Sequence, residues 1–399
     1  MSSEKKRLKI AFVTALDPKD RHSCSWTDTM YCTSHALQRQ SGEVYYLGPI
    51  KTNAKRFGQV VHKVSRLLFK RNFLFDRSIF LAKAHAKVVS KRLAAQSFDV
   101  IIAPMGTTEV AYLETDIPIV IVRDATFALM HNYYPKFSNL LNKSVREGYY
   151  LERLANERSS LLLYPSAWAA RSAVEDHRAD KEKVHVVPFG ANFEAPPIEI
   201  VQKRAKSDRC RLLFVGVDWP RKGGEIAFET LLKLDEMGVQ AELIVCGCTP
   251  PKEFSHARMK VIPFLDKNDE EQRLELEKLF EMADFLLLPS RSECYGMVFC
   301  EASAFGLPSI TTNTGGISGA VTNGENGYML PPGAGGAEYA RLIAEIYLDD
   351  HRYAELVKSS RAAFDARLNW DAWAISVDKL IREELDRRGS DKKLLEPAV

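Results

Sequence analysis

A repeated alternation of short β-branched runs with long helical stretches constrains the fold of this chain more than any other feature. Strands that alternate with helices are typical of parallel sheets, because each helix carries the chain back to the start of the next strand. The pattern therefore predicts an α/β protein of two Rossmann-like, doubly wound domains that face each other across a cleft. The predicted strands of the first half are residues 10–16, 44–47, 100–103, 119–122, 161–164 and 184–187, and those of the second half are 212–215, 243–246, 261–265, 285–288 and 309–312.

The domain boundaries are predicted from chain length and from one segment that breaks both periodic patterns. A chain of 399 residues exceeds what one hydrophobic core usually holds. Residues 188–197 are rich in proline and glycine and are typical of an exposed linker. We therefore predict an N-terminal domain over residues 1–190, a C-terminal domain over 191–366 and a terminal helix within 367–399.

The terminal segment departs from the strand and helix rhythm that precedes it. Trp370 and Trp373 begin a series of apolar residues at helical spacing, and Asn369 is placed to cap that helix. The apolar face of such a helix needs a surface to pack on. Beyond Arg387 most residues are charged or small, so that part of the chain is expected to fray.

Composition excludes several classes of function. The net charge of +3 at pH 7 does not indicate a nucleic-acid partner. The 7 cysteines are scattered, with no CxxC pair and no cluster at zinc spacing, which argues against a disulfide framework or a metal site. The apolar run at 9–16 is too short to span a membrane and lacks a signal cleavage site. A cytoplasmic protein is expected.

The most specific chemistry is predicted within residues 285–308, where a buried strand, a polar loop and a helix follow one another. The loop carries Glu293, and the helix is expected to start near Met297. Backbone amides of Tyr295, Gly296 and Met297 would then meet the positive end of the helix dipole, and a glycine lets a ligand approach the backbone closely. This arrangement favours a diphosphate site.

Two glutamates flank that helix start. Glu293 precedes the helix and Glu301 lies about a turn inside it, and carboxylates accept hydrogen bonds from vicinal hydroxyls. One glutamate could therefore reach a sugar and the other a ribose. Taken alone, a glutamate at a helix start is more often a capping residue, and Gly296 could serve any tight turn. The combination favours a nucleotide-sugar site.

A second loop supplies positive charge. Arg221 and Lys222 follow the strand predicted at 212–215, at the carboxyl edge of the second sheet, where α/β proteins bind ligands. Loop arginines and lysines are usually solvated, but the glycines at positions 216, 223 and 224 favour a phosphate site.

Together these residues resemble the retaining glycosyltransferases of the GT-B fold, family 4. The spacing of Glu293 and Glu301 is similar to the family's E-x7-E signature, and residues 301–308 are similar to the Glu-Ala-small-Ala-x-Gly-x-Pro sequence that follows it. Lys222-Gly223 is similar to the family's phosphate-binding lysine and its glycine. The tail around Trp370 resembles the family's C-terminal helix, which crosses back to pack on the N-terminal domain. The resemblance covers residues 210–385 closely and 8–195 loosely.

The resemblance implies metal-independent transfer of a sugar from a nucleoside diphosphate of UDP or GDP type to a glycan or lipid-linked acceptor, with retention of anomeric configuration. The donor would bind the C-terminal domain and the acceptor the N-terminal one. Lys222 and a nearby arginine would stabilise the leaving diphosphate, Glu293 would contact sugar hydroxyls and Glu301 would hold the ribose. The donor-binding residues implied in this way are Gly216, Lys222, Glu293, Tyr295, Gly296, Met297 and Glu301.

The chain departs from the family pattern at three places. Val217 stands where the family's arginine usually follows the glycine, so Arg221 is the candidate substitute in catalysis. Asp124 stands where many members have a histidine; it could hydrogen-bond the donor sugar, and a helix-capping role is an equal alternative. Residues 22–28 replace the family's Gly-Gly loop.

Residues 51–92 contain 12 basic residues and a single acid, Asp76, interleaved with apolar residues at helical spacing. A basic amphipathic segment can lie on an anionic membrane, here the inner membrane face. The alternative is a helix pair packed on the first sheet with a solvated basic face. The basic residues are Lys51, Lys55, Arg56, Lys63, Arg66, Lys70, Arg71, Arg77, Lys83, Lys87, Lys91 and Arg92.

Three other functions are compatible with the predicted architecture. A nucleotide-sugar epimerase would share the donor site but need no acceptor. A non-catalytic nucleotide-sugar-binding protein would bind the donor without turning it over. An NAD-dependent oxidoreductase is disfavoured, because neither first strand leads into GxGxxG.

Overall fold

The structure, a computed structural model, describes residues 6–17, 25–52, 54–193 and 208–395 of the chain. The start of the loop at 22–28 and the end of the segment at 188–197 lie outside these described residues. The chain divides into two compact units: unit 1 is Met1–Val187 with Trp373–Val399, and unit 2 is Pro188–Ala372.

Unit 1 is built on a six-stranded parallel sheet with the order β2-β1-β3-β4-β5-β6. Strands β3, β4 and β5 are buried along their whole length, because helices cover both faces of a parallel sheet. Continuous apolar runs therefore predicted them well. The strands are β1 (Leu8–Phe12), β2 (Gly42–Tyr46), β3 (Val100–Pro104), β4 (Ile119–Val122), β5 (Leu161–Tyr164) and β6 (Val184–Val186).

The helices of unit 1 connect successive strands, and three of them have a side-chain cap. Ser78, Thr126 and Ser166 each accept a hydrogen bond from a backbone amide of the first turn, which satisfies a donor that has no partner inside the helix. The helices are α1 (Ser25–Gln40), α2 (Ala54–Phe69), α3 (Ile79–Leu93), α4 (Thr107–Val110), α5 (Phe127–Met130), α6 (Asn142–Arg158) and α7 (Ala167–Glu175).

Unit 2 has a second six-stranded parallel sheet, with the order β12-β11-β10-β7-β8-β9. Two parallel-sheet α/β domains were predicted, and this fold class is confirmed. The strands are β7 (Cys210–Val215), β8 (Ala241–Cys246), β9 (Met259–Ile262), β10 (Phe285–Leu288), β11 (Ser309–Thr312) and β12 (Gly327–Leu330), and the helices are α8 (Gly224–Glu236), α9 (Glu270–Met282), α10 (Met297–Ala304), α11 (Gly336–Tyr347) and α12 (Asp350–Arg367).

Strand β12 was not predicted. It lies at the edge of the sheet, its two central residues are half-buried, and turn residues precede it, so the local sequence indicates a turn. Gly327 pairs with Ser309 of β11, and a Cβ atom at Gly327 would lie 2.0 Å from the Ser309 carbonyl oxygen. The strand exists because a glycine allows this close pairing, which the local sequence does not reveal.

The last helix, α13 (Trp370–Leu395), begins in unit 2 and belongs to unit 1 from Trp373 onward. Asn369 caps it as predicted: its Oδ1 accepts a hydrogen bond from the Ala372 amide at 2.8 Å. Arg382 donates to the Lys6 carbonyl at 3.1 Å, and Arg388 donates to the Asp116 carbonyl at 3.0 Å. The predicted return of this helix to the first domain is confirmed.

The helix extends to Leu395, and the fraying expected beyond Arg387 stays a prediction. Glu384 accepts hydrogen bonds from Arg387 and Arg388, and Arg388 also anchors the helix on unit 1 through Ser160. Among the described residues, no helix is both long and apolar enough to cross a membrane.

Two of the basic residues that were predicted to form a basic face do not lie on one. Arg77 is buried, and Arg92 donates to the backbone carbonyls of Leu47 and Pro49. Both guanidinium groups therefore interact with other parts of unit 1 and do not contribute to a basic face. The basic face that remains is described below with the exposed end of α2.

Candidate functional site

The loop between β7 and α8 places Arg221 and Lys222 beside the end of β10. Gly223 has a left-handed conformation with φ 77°, and a Cβ atom there would lie 1.9 Å from the Pro289 carbonyl oxygen. At Gly224 a Cβ atom would lie 2.1 Å from the indole of Trp219. Only glycines allow this close approach, so the sequence Lys-Gly-Gly brings the two cations to the carboxyl edge of the second sheet.

Three predicted site residues meet at this edge. The Lys222 ammonium forms an ion pair with the Glu293 carboxylate, and the Arg221 guanidinium lies 3.7 Å from the same carboxylate oxygen. Arg221 also donates to the Ser292 carbonyl at 3.1 Å and to Asp218 at 3.3 Å. The side chains of Lys222 and Glu293 are mostly buried, so this pair is held in place and weakly screened.

Helix α10 begins at Met297, as predicted. Gly296, its N-cap residue, has φ 89° and offers no side chain to the first turn. The amides of Met297 and Val298 are at the first two helical positions, where no acceptor exists within the helix. The positive end of the α10 dipole therefore lies next to the Lys222 and Glu293 pair, and together they form a place for an anion.

The side chain of Tyr295 does not take part in this site. It is buried, and its hydroxyl donates to the Phe189 carbonyl at 3.1 Å. Burial raises the pKa of Tyr295 well above its ordinary value. The predicted contribution of Tyr295 is thus restricted to its backbone. Gly216 lies at the end of β7, where a Cβ atom would come within 3.0 Å of the Lys222 side chain.

Glu301 is nine-tenths buried within α10 and forms an ion pair with Lys267. The Lys267 ammonium also lies 4.2 Å from the centre of the Phe193 ring, a cation–π arrangement. Sequence reasoning did not identify Lys267. Lys267 lies in the loop after β9, at the same carboxyl edge of the sheet as Lys222. Because ligands bind at this edge, its position after a predicted strand could have identified it as a site residue.

Asp124 lies in unit 1, half-buried in the loop between β4 and α5. Helix α5 is capped by Thr126, whose Oγ1 accepts a hydrogen bond from the Leu129 amide at 3.3 Å. The alternative reading of Asp124 as a helix cap is therefore wrong. Asp124 follows the carboxyl end of β4, the edge where ligands bind in such sheets.

A buried ionic cluster behind this loop was missed by sequence reasoning. Glu152 of α6 is 0% exposed; its carboxylate lies 3.2 Å from Arg123 and 3.5 Å from Arg77, and it accepts a hydrogen bond from the Phe127 amide at 3.1 Å. Burial alone would raise the pKa of Glu152, but Arg123, His177 and Arg77 hold that pKa below its ordinary value. Glu152 therefore stays ionised and fixes the loop on both sides of Asp124.

His177 completes this support. Its Nε2 accepts a hydrogen bond from the Ala128 amide at 3.2 Å, which requires a neutral ring with its proton on Nδ1. Burial lowers the pKa of His177, which keeps the ring neutral. Residues 123–128 are thus held by side chains from α6 and from the end of α7.

Metal ligation has no candidate within the described part of the chain, where no group of three or more histidine, cysteine, aspartate or glutamate side chains is close enough together to hold an ion. The positive charges at the α10 site are those of Lys222, Arg221 and the helix N-terminus.

Comparison with known proteins places this geometry in context. Residues 197–363 match the family description Glycosyl transferases group 1. The D-inositol 3-phosphate glycosyltransferase of Xylanimonas cellulosilytica is 26% identical over 248 residues, which cover 58% of this chain and 58% of that protein. The chain thus spans about half the length of the curated relatives that it matches.

Two solved structures share the fold over nearly the whole chain. Sucrose-phosphate synthase from Thermosynechococcus elongatus has a TM-score of 0.66 at 15% identity, over 96% of this chain and 100% of that one. Alr3699/HepE from Anabaena, solved in complex with UDP and glucose, has a TM-score of 0.59 at 18% identity, over 95% and 100%. Residues 197–363 are therefore similar to the glycosyltransferase group 1 family, and the chain has the GT-B fold.

Proposed function

We propose that this protein is a retaining glycosyltransferase that transfers a sugar from a nucleoside diphosphate of UDP or GDP type to a glycan or lipid-linked acceptor, without a metal ion. The observation that carries the proposal is the mostly buried Lys222 and Glu293 pair at the N-terminus of α10, with Arg221 at 3.7 Å from the same carboxylate. It lies within the segment that matches the group 1 family.

The chemistry follows from where negative charge develops. When the bond from the anomeric carbon to the diphosphate breaks, the departing phosphate gains charge, and preorganised cations lower that barrier most in a site of low dielectric constant. Lys222, Arg221 and the amides of Met297 and Val298 supply this stabilisation. Glu293 holds the Lys222 ammonium in place through their ion pair, and its carboxylate accepts hydrogen bonds from the sugar hydroxyls.

We propose that the nucleoside end of the same donor binds at Glu301 and Lys267. A buried carboxylate is a strong acceptor for the two vicinal hydroxyls of a ribose. Lys267 supplies the counter charge of Glu301 inside the protein, because a buried carboxylate without a partner is costly. Because Alr3699/HepE was solved in complex with UDP-glucose, UDP sugars are the first donors to test.

Replacement of Glu301 by alanine is expected to weaken donor binding about 10- to 100-fold, because two charge-assisted hydrogen bonds to the ribose are lost. Lys267 is partly exposed and can turn to solvent in the variant, so the fold should persist. The measurement is calorimetric titration of the wild type and the variant with UDP and GDP sugars in a chelating buffer.

Glu281→Ala, which removes an exposed glutamate of α9, is the matched control and should bind like the wild type. Equal donor affinities in Glu301→Ala and the wild type would place the ribose elsewhere. Failure of every UDP and GDP sugar to bind the wild type would overturn the proposed donor site. Binding with no turnover in any acceptor mixture would favour a non-catalytic sugar-binding protein.

We also propose that this cytoplasmic protein contacts an anionic membrane through the end of α2 and the residues after it. Leu67, Leu68 and Phe69 are 82%, 69% and 62% exposed, an unusual run for a protein surface in water. Lys63, Arg66, Lys70 and Arg71 flank them in sequence and are also exposed. Exposed apolar side chains flanked by cations suit insertion between anionic head groups.

Wild-type protein is expected to cosediment with phosphatidylserine vesicles at low salt and to be released as salt is raised. Leu67→Ser/Leu68→Ser/Phe69→Ser should lose most of this binding, because the apolar contribution disappears. The control is Leu348→Ser, which removes an equally exposed leucine, 68% exposed, that is followed in sequence by Asp349 and Asp350. Absence of wild-type binding, or retention of binding in the triple variant, would contradict the proposal.

A further inference from the structure

The guanidinium group of Arg221 is in contact with an acidic residue of its own loop, Asp218. Asp218 Oδ2 accepts a hydrogen bond from Arg221 Nε at 3.3 Å, and Asp218 Oδ1 accepts one from the Arg221 backbone amide at 3.2 Å. The Asp218 carbonyl also accepts a hydrogen bond from the Lys222 amide at 3.0 Å. A single residue therefore contacts both residues whose cations are proposed to face the diphosphate.

A second loop holds another nitrogen of the same guanidinium group. Arg221 Nη1 donates to the Ser292 carbonyl at 3.1 Å and lies 3.7 Å from the Glu293 carboxylate. Because a guanidinium group is planar and rigid, acceptors at two of its nitrogens fix both its position and the direction of its plane. Only 24% of the Arg221 side chain is exposed. The protein therefore sets the orientation of this cation.

The backbone of the loop is anchored independently of the Asp218 carboxylate. Trp219 is 3% exposed, and its ring lies 5.3 Å from the ring of Phe214 and 5.5 Å from that of Phe254. The Trp219 carbonyl accepts a hydrogen bond from the Gly224 amide at 2.9 Å. The path of the loop is thus fixed by a buried aromatic ring, and it should persist when the Asp218 carboxylate is removed.

The ion pair between Asp218 and Arg221 contributes little to stability, because 45% of the Asp218 side chain is exposed and such pairs are screened by water. Its effect on the order of the arginine side chain is larger. A free arginine has many rotamers, and a cation stabilises a transition state most when it is already in place. Lys222 is held separately by Glu293, so loss of the Asp218 carboxylate should release Arg221 alone.

We propose that Asp218 is a positioning residue that holds the Arg221 guanidinium in the orientation required at the leaving diphosphate. This inference rests on the proposed function of the donor site. Val217, which stands where the resembling family carries its arginine, is 66% exposed and has no charge to offer. The loop compensates with an arginine farther along the chain and with a carboxylate that orients it. Asp218 acts through Arg221 and not on the donor.

A purely electrostatic role of Asp218 predicts a different result. Removal of a negative charge beside a bound diphosphate would tighten donor binding and would not slow transfer, because like charges repel. Positioning predicts slower transfer at nearly unchanged donor affinity, since a disordered cation is missed most where negative charge develops. The turnover number and the KM for the donor therefore separate the two roles.

The test compares variants of the full chain by the release of nucleoside diphosphate in the presence of an acceptor. Asp218→Ala is expected to lower the turnover number about tenfold and to leave the KM for the donor within about twofold of the wild type. Asp218→Asn, whose amide oxygen can still accept one hydrogen bond, should recover part of this loss. Arg221→Ala should lower the turnover number about 100-fold, and addition of Asp218→Ala should cause no further loss.

Asp365→Ala is the matched control. Asp365 accepts a hydrogen bond from Arg361 Nε at 3.0 Å on α12, and 46% of its side chain is exposed, nearly the same as for Asp218. This variant loses the same kind of contact away from the donor site and should turn over like the wild type. Unchanged turnover in Asp218→Ala, or a further loss when Asp218→Ala is added to Arg221→Ala, would overturn the proposal.

Nitrogen-15 NMR of the arginine side chains measures the positioning without any turnover. The Arg221 Nε–H signal, assigned by its loss in Arg221→Ala, is expected to exchange with water several times faster in Asp218→Ala than in the wild type. An unchanged exchange rate would show that Asp218 does not hold Arg221. If the wild type turns over no donor while this signal depends on Asp218, the proposed function fails and the positioning of Arg221 does not.

Discussion

Replacement of Lys222 by alanine is expected to lower the turnover number for sugar transfer about 100- to 1,000-fold, with a much smaller loss of donor affinity. The expected size is that of removing one preorganised charge from the position where negative charge develops in the transition state. The ammonium is mostly buried beside Glu293 at the N-terminus of α10, so bulk water cannot replace it. The measurement is the release of nucleoside diphosphate in the presence of an acceptor.

The variant is expected to remain folded. Arg221 stays 3.7 Å from the Glu293 carboxylate, so loss of Lys222 does not leave a buried charge without a partner. Lys252→Ala, which removes an exposed lysine of the same unit, is the matched control and should turn over like the wild type. If Lys222→Ala keeps turnover within threefold of the wild type, the diphosphate does not bind at this edge.

Replacement of Glu152 by alanine is expected to lower the free energy of unfolding of unit 1 by about 3–5 kcal/mol, the usual cost of removing one partner from a buried ion pair. Glu152 is 0% exposed and is the shared counter charge of Arg123 and Arg77. Its carboxylate also accepts a hydrogen bond from the Phe127 amide. In the variant, the buried guanidinium groups of Arg123 and Arg77 lose this counter charge, and the Phe127 amide loses its hydrogen-bond acceptor. Urea unfolding, with hydrogen exchange to assign the change to unit 1, measures the effect.

Glu157→Ala is the matched control, because Glu157 is an exposed glutamate on the same helix and should change stability by less than about 0.5 kcal/mol. Hydrogen exchange in Glu152→Ala should rise first at residues 123–128, which the cluster holds. A loss below about 1 kcal/mol would mean that the cluster relaxes or admits water, and Glu152 would then not be what holds the Asp124 loop.

Strands that have a clear local sequence pattern were predicted well, and strands whose local pattern is weak were displaced or missed. Strands at 119–122, 161–164 and 285–288 were predicted with their observed bounds, because a strand buried on both faces is a continuous apolar run. The strand at 309–312 was also predicted with its observed bounds, although three of its four residues are serine or threonine. Strand β9 was predicted two to three residues too late, since most of this edge strand is exposed or half-buried and its local pattern is weak. The strand at Gly327–Leu330 was missed for the same reason.

The candidate site shows the same division. Glu293, Gly296 and Glu301 occur within one strand, loop and helix, so a local motif placed them correctly around the start of α10. Lys267 is separated from Glu301 by 34 positions, and Glu152 from Arg77 by 75. No local pattern links such residues, and each ion pair exists because the sheets bring distant loops to one place. Arg77 was predicted to lie on a basic face for the same reason, because its burial depends on residues that are distant in sequence.

By itself, the sequence determined the two α/β domains, the capped terminal helix and the positions of Glu293 and Glu301 around the start of one helix. All of these depend on periodicity or on motifs within a few residues, which express short-range sterics and hydrogen bonding. Only the tertiary structure decided which charges are buried as partners and which apolar residues remain exposed at the end of α2. These properties are set by packing between segments far apart in the chain, because burial and electrostatic pairing depend on the complete fold.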